Sequence, residues 1–294
     1  MKKILIYLSM EKHASPFDLI EAYDADVDDL VIVPYTGVEI DDVAGLINDT
    51  IFPRHPKDLI NTAVFIGGHD VVKGDEMMDV AVKQMFDPFR ISIVADTDGA
   101  NTTAVGTAVK IKEAIENKGE SLKGKKAIIF AGTGPVGLRI GALMVKEGAS
   151  VAVTSRKMDG AAAAVEKVKK VYHAEITPYE VRSDEDTISA LKDFNPDIVV
   201  TTGPPKITIL KKEIWSRFDS IEVMADVNAY PPYGIEGVDA NDNGVEIEGT
   251  GKLGIGALRI GTVKNDVQKK IVKKLFEKKG QVIGLEDIYN AAFE

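Results

Sequence analysis

The residues most able to do chemistry cluster around one glycine turn. Gly132-Thr133-Gly134-Pro135-Val136-Gly137 follows an apolar run, Ala127 to Ala131, and precedes a helical pattern carrying Leu138, Ala142, Leu143 and Val145. A second apolar run, Ser150 to Thr154, comes next. Strand, glycine turn, helix and strand in this order make the first half of a dinucleotide-binding unit. Gly132 permits the tight turn, Gly134 lets backbone N–H groups approach a pyrophosphate at the helix N-terminus, and Gly137 allows close helix–strand packing. Gly132, Thr133, Gly134, Pro135 and Val136 are therefore candidate cofactor contacts. The second strand ends in Ser155-Arg156-Lys157, where an NAD site carries Asp or Glu for the ribose hydroxyls. A hydroxyl and two cations suit a 2′-phosphate, with Arg156 able to stack on adenine or grip the phosphate through its planar fork. NADP is the expected cofactor, with NAD as a poorer alternative.

Three more polar loops follow strand-like runs. Asp96-Thr97-Asp98-Gly99-Ala100-Asn101-Thr102-Thr103 sits past the run Ile91 to Ala95 and opens a helix of about Thr102 to Lys118. Thr202-Gly203-Pro204-Pro205 follows Ile198 to Thr201, and Asp226 to Pro232 follows Ile221 to Ala225. Ligands in open α/β sheets bind outside the carboxyl ends of strands. Thr202, Gly203, Pro204 and Asn228 should therefore face the nicotinamide half of a cofactor.

Around these loops, strand and helix signals alternate from Ile4 to Ala95 and again from Ala127 onward, the pattern of an α/β chain with two open layers. Ser15-Pro16 supplies a helix cap and a first-turn proline for a helix over Phe17 to Tyr23. The expected organisation is an N-terminal α/β domain over 1–120, joined by C-terminal helices within 263–294, and a Rossmann-type parallel sheet over 121–262. The active site is expected in the cleft between them. The helix ending at Glu116-Asn117-Lys118-Gly119 is the expected connector. Val263, Val267, Ile271 and Leu275 form one stripe of an amphipathic helix, read as packing back across the cleft. The glycine-rich stretch Gly249 to Gly261 has neither the Walker spacing nor a Ser or Thr after Lys252, so nucleoside-triphosphate binding is not expected.

The chain has 294 residues, 45% of them hydrophobic, and length and composition together suit two globular domains. Its net charge of −10 argues against a nucleic-acid or anionic-membrane surface. The absence of cysteine excludes disulfides, thiolate catalysis and cysteine-ligated metal. The four histidines, at 13, 55, 69 and 173, form no metal-ligand pattern in sequence, and no metal is expected. The Met1 to Leu8 segment is interrupted by Met10-Glu11-Lys12-His13 before any cleavage-like site, so it reads as a first strand of a soluble, cytoplasmic protein.

With these loops in view, the chain resembles the NAD(P)-dependent methylene-tetrahydromethanopterin dehydrogenases of one-carbon metabolism. The resemblance is carried by Ser15-Pro16-Phe17-Asp18, by Phe65 to Asp70, by the Gly-x-Asn-Thr-Thr core of Asp96 to Thr103, and by the glycine turn with Arg156-Lys157. Asp226-x-Asn228-Ala229-x-Pro231-Pro232 and Gly254-Ile255-Gly256-Ala257-Leu258 complete it. It implies a two-domain subunit with a reduced pterin in the cleft, homo-oligomeric assembly as a trimer or hexamer, and no metal. Oxidising a methylene bridged between two nitrogens removes a hydride and leaves a delocalised amidinium, so no general acid or base is needed. Asp18 and Asp96 are the candidates for electrostatic stabilisation of that cation. Phe17 and Tyr230 are candidates to pack on the pterin, and His69, Asn101, Thr102 and Thr103 to contact it. The folate-using dehydrogenase/cyclohydrolases rely on a Tyr-x-x-x-Lys pair; no tyrosine here has a lysine four residues on, so substantial cyclohydrolase activity is not expected. A methylene-tetrahydrofolate dehydrogenase, a shikimate-type dehydrogenase lacking a convincing Lys–Asp relay, and a non-catalytic NADP sensor are the alternatives.

Overall fold

A computed structural model describes residues 1–294. The chain divides into two compact units, one of residues 1–102 and 265–294, the other of residues 103–264.

The first unit is built on a five-stranded, all-parallel sheet. Its elements are β1 (Lys3–Ser9), α1 (Pro16–Tyr23), β2 (Leu30–Tyr35), α2 (Ile40–Ile51), β3 (Thr62–Gly67), α3 (Val71–Gln84) and β4 (Ser92–Ala95). After α4 (Ala100–Glu116) the chain continues into the second unit, and it returns through α9 (Ala257–Lys274), β12 (Val282–Ile283) and α10 (Leu285–Ala291). The strand order is β12-β4-β3-β1-β2. Every residue of the central strand β3 is buried, as a continuous apolar run in a two-sided parallel sheet requires. Leu8, Val43, Ile47, Ile66 and Met77 share one core. Pro34 falls on β2 at the sheet edge, where a missing N–H leaves no ladder bond unmade. The Ser15 hydroxyl accepts from the Asp18 N–H at 3.3 Å and Pro16 opens α1, as the sequence pair predicts. Asp70 caps α3 by accepting from Val72 and Lys73 N–H groups at 3.1 and 3.0 Å.

The second unit carries seven strands in the order β10-β11-β9-β8-β5-β6-β7. They are β5 (Lys126–Phe130), β6 (Ser150–Ser155), β7 (Thr177–Glu180), β8 (Ile198–Thr201), β9 (Val223–Asp226), β10 (Asn243–Glu246) and β11 (Leu253–Ile255). All neighbours are parallel except β10, which runs antiparallel to β11. Helices α5 (Pro135–Lys146), α6 (Met158–Tyr172), α7 (Asp184–Phe194) and α8 (Lys212–Trp215) make the crossovers. Chain order reverses at β5, which has β6 on one side and β8 on the other, so the ligand crevice of such a sheet opens at its carboxyl end. One apolar core joins Ile128, Phe130, Val199, Met224 and the fully buried Trp215.

β7 starts no earlier than Thr177, because α6 ends on a left-handed His173 and the chain must cross before Thr177 can pair with Ala152. The glycine-rich stretch resolves into β11 and the start of α9, and its Lys252 is buried with Nζ donating to the Phe218 and Ile221 carbonyls at 2.8 and 3.1 Å. Burial lowers the Lys252 pKa below the ordinary lysine value. No helix is long and apolar enough to cross a membrane.

Candidate functional site

In the second unit the glycine turn folds as its spacing predicts. β5 ends at Phe130, Ala131 takes a left-handed φ of 51°, and Gly134 caps α5 with Pro135 in its first turn. The turn is tied to β6 by the Ala131 N–H, which donates to Thr154 Oγ1 at 3.1 Å, and by the Gly132 N–H, which donates to the Thr154 carbonyl at 3.2 Å. A Cβ on Gly132 would lie 2.7 Å from the Ile129 carbonyl oxygen, and one on Gly137 would lie 2.5 Å from that of Gly132. Both glycines are therefore demanded by backbone packing. A Cβ on Gly134 would meet nothing within 4 Å and would project into open space at the α5 N-terminus. That is the geometry a pyrophosphate needs: room for close approach and N–H groups at the positive end of a helix. The residues present fit a dinucleotide.

Beside the turn lies an open pocket of about 500 Å³, within the size range of small-molecule sites. Its walls come from the β5 turn (Ala131, Thr133), the end of β6 (Thr154, Ser155, Arg156) and the segment after β7 (Val181 to Asp184), with Ile207 and Ile209 as apolar lining. Ser155 and Arg156 line this pocket, and Lys157, exposed, is the N-cap of α6. The β7 segment belongs to this rim because β7 pairs with β6, so its carboxyl end reaches the same edge, a pairing not legible in the local sequence.

The loops after β8 and β9 are organised by one buried carboxylate. Asp226, 1% exposed, accepts from Thr201 Oγ1 at 2.8 Å, the Asn228 N–H at 3.1 Å and the Gly234 N–H at 2.6 Å. Burial raises its pKa above the ordinary carboxylate value, and those hydrogen bonds pull the other way. The Asn228 side chain is buried and points its Nδ2 at the Pro204 carbonyl, 3.5 Å away, which links the two loops. Thr202 Oγ1 donates to the Ala131 carbonyl at 3.2 Å, so this loop also touches the glycine turn. Gly203 and Pro204 follow it, and Pro204 lines the pocket. Tyr230, in the loop after β9, is 64% exposed.

In the first unit, Asp18 stands in the first turn of α1 and its carboxylate is held from two sides. The Tyr7 hydroxyl donates to one oxygen at 2.7 Å and Gln268 Nε2, from α9, to the other at 3.3 Å. Tyr7 is buried, stacked on Phe65 with ring centroids 5.8 Å apart. A Cβ on Gly67 would overlap the Tyr7 phenol, so that glycine makes room for the ring. Burial, reinforced by the Asp18 charge, pushes the Tyr7 pKa well above the usual phenol range, so it acts as a donor. Neither Tyr7 nor Gln268 was evident from sequence; Gln268 is a buried polar residue beside the apolar stripe of α9.

Asp96, 2% exposed, ends β4 and is spent on the start of α4. Its Oδ1 accepts from the Asn101 and Thr102 N–H groups at 2.9 and 3.2 Å, and its Oδ2 from Thr102 Oγ1 at 2.6 Å. Asn101 Nδ2 donates to the Ala95 carbonyl at 2.8 Å. Thr102 is fully buried, whereas Asn101 and Thr103 are partly exposed. His69 is exposed with Nδ1 3.3 Å from Asp98 Oδ1, and Phe17 is 44% exposed. No group of three or more His, Cys, Asp or Glu side chains is placed to hold a metal ion.

The sheet order, the glycine cradle and the adjoining pocket define a Rossmann-type dinucleotide-binding protein. Residues 16–98 match the family described as methylene-tetrahydromethanopterin dehydrogenase, N-terminal. The bifunctional protein MdtA of Methylorubrum extorquens is 39% identical over 100% of this chain and 99% of its own length. The NAD(P)-dependent methylenetetrahydromethanopterin dehydrogenase of the same organism is 33% identical over 100% of this chain and 98% of its own. The chain belongs to the methylene-tetrahydromethanopterin dehydrogenase family. Among solved structures, quinate dehydrogenase from Corynebacterium glutamicum in complex with NAD covers 99% of this chain and 99% of its own, with a TM-score of 0.54 and 13% identity. The ligand-free 5-ketofructose reductase of Gluconobacter sp. strain CHM43 covers 100% and 98%, with a TM-score of 0.51 and 12% identity. These two likenesses show the fold.

Proposed function

We propose that this chain transfers a hydride reversibly from methylene-tetrahydromethanopterin to NADP, giving methenyl-tetrahydromethanopterin and NADPH. The observation that carries the cofactor half is the pocket rim: β6 ends in a hydroxyl and two cations, and Arg156 lines the pocket beside an unobstructed Gly134. When bound, the nicotinamide supplies the hydride acceptor. The protein's task is to hold the bridging carbon about 3–3.5 Å from nicotinamide C4 and to favour the cation that forms. Asp18 suits the second role, since Tyr7 and Gln268 fix its carboxylate in one orientation. The hydrogen bonds from Asn101 and Thr102 to Asp96 support a positioning role for it, through the first turn of α4, which carries Asn101 and Thr103. Phe17 offers an exposed ring to a flat pterin, as does Tyr230, and His69 an exposed imidazole.

Homo-oligomeric assembly belongs to the same reading. Its support is the exposed aromatic pair Phe52 and Phe86, with ring centroids 6.4 Å apart.

The test is a spectroscopic assay with methylene-tetrahydromethanopterin and, separately, methylene-tetrahydrofolate, each with NADP and with NAD. Reduction of NADP with the methanopterin substrate is expected, falling about tenfold in kcat/KM in Arg156→Gln. Folded protein that binds NADP and reduces it with neither pterin would overturn the assignment.

A further inference from the structure

The 2′-phosphate reading leaves the carboxylate nearest the Ser155-Arg156-Lys157 backbone without a role. Glu180, the last residue of β7, pairs in register with Ser155, the last residue of β6. Its Oε2 accepts from the Met158 N–H at 2.7 Å, two residues beyond Arg156 at the start of α6. Its Oε1 lies 3.2 Å from Arg182 Nη2, and Arg182 itself lines the pocket. The Arg182 backbone is fixed in turn, its N–H donating to Asp186 Oδ2 at 2.9 Å. A carboxylate is therefore bonded to the start of α6, directly after the Ser155, Arg156 and Lys157 offered to a phosphate. It is supplied by the neighbouring strand, one strand over from where NAD-selective sheets place it.

We infer that Glu180 is a specificity-determining residue that opposes the 2′-phosphate, with Arg182 offsetting its charge, so that this pair sets how strictly the chain distinguishes NADP from NAD. The inference rests on the 2′-phosphate reading of Ser155-Arg156-Lys157. Two effects of Glu180 separate cleanly. Its hydrogen bond to Met158 anchors the loop, and this needs only an acceptor oxygen. Its negative charge repels a dianionic phosphate nearby, and this needs the carboxylate. Glutamine keeps the first and removes the second.

Binding of 2′,5′-ADP and of 5′-AMP is measured by calorimetry at low salt in the wild type, Glu180→Gln and Arg182→Gln. The inference expects Glu180→Gln to tighten 2′,5′-ADP about fivefold while leaving 5′-AMP unchanged, a gain that shrinks as added salt screens the charge. Arg182→Gln, an exposed substitution that spares the fold, should weaken 2′,5′-ADP about threefold relative to 5′-AMP. If the wild type prefers 2′,5′-ADP and neither variant moves the ratio, Glu180 is a loop anchor only and the inference fails while the phosphate reading stands. If neither the wild type nor Glu180→Gln prefers 2′,5′-ADP, both fall together. A wild type without preference that acquires one in Glu180→Gln supports the inference.

Discussion

Asp96 and Asp226 are two solutions to one problem. Each closes a central parallel strand, each is almost fully buried, and each accepts two backbone N–H groups and a threonine hydroxyl. These bonds differ in reach. Those of Asp96 come from within six residues, at the first turn of α4. Asp226 takes its hydroxyl from Thr201 on the neighbouring strand, 25 residues back, and its far N–H from Gly234, eight residues on. The first set of bonds caps a helix; the second clamps two strands together and closes a loop with two prolines. Asp18, by contrast, is part-exposed and takes its donors from two other elements.

The difference predicts unequal mutational costs. In Asp226→Asn each side-chain oxygen position faces a fixed backbone N–H, so the new amide nitrogen must confront a donor whichever way it turns. The loss should be about 2–3 kcal/mol of unfolding free energy, read by chemical denaturation. Asp96→Asn keeps a carbonyl for the Asn101 and Thr102 N–H groups. Its Nδ2 can donate to Thr102 Oγ1, whose own proton has the Gly99 carbonyl at 3.3 Å, so the cost should be about 1 kcal/mol. A reversed order would break the comparison.

A pH series sharpens it. Burial raises the Asp226 pKa, so the folded protein holds that proton more tightly than the unfolded chain. This contribution is fully present below the ordinary carboxylate pKa and is lost as pH rises through the raised value. The stability advantage of wild type over Asp226→Asn should therefore shrink as pH rises across that window; a difference independent of pH would contradict it. The smallest effect belongs to Thr201→Val, at about 1 kcal/mol, and it should largely vanish in the Asp226→Asn background because the two groups are one interaction.

The same contrast in reach separates what is legible in the sequence from what is not. Ser15-Pro16 before α1, the Gly132 to Gly137 turn and the Asp96 to Thr103 loop are local devices, with partners a few residues away, and each folds as its spacing implies. The Thr201–Asp226 clamp requires the register of β8 on β9. The Tyr7–Asp18–Gln268 arrangement joins residues 11 and 250 positions apart. Arg182 reaches the pocket, and Glu180 the start of α6, only because β7 lies beside β6. Short strands such as β11 and β12, three and two residues long, owe their existence to the edges they extend and carry no periodicity of their own.

Direct hydride transfer asks for positioning and charge, with no proton moved by the protein, and the isotopic fate of the transferred atom tests it. With methylene-tetrahydromethanopterin dideuterated at the bridging carbon and oxidised in ordinary water, one deuterium is expected at C4 of the NADPH formed. No solvent deuterium is expected there when unlabelled substrate is oxidised in heavy water. NADPH that carries hydrogen from solvent in place of the substrate label would contradict direct transfer.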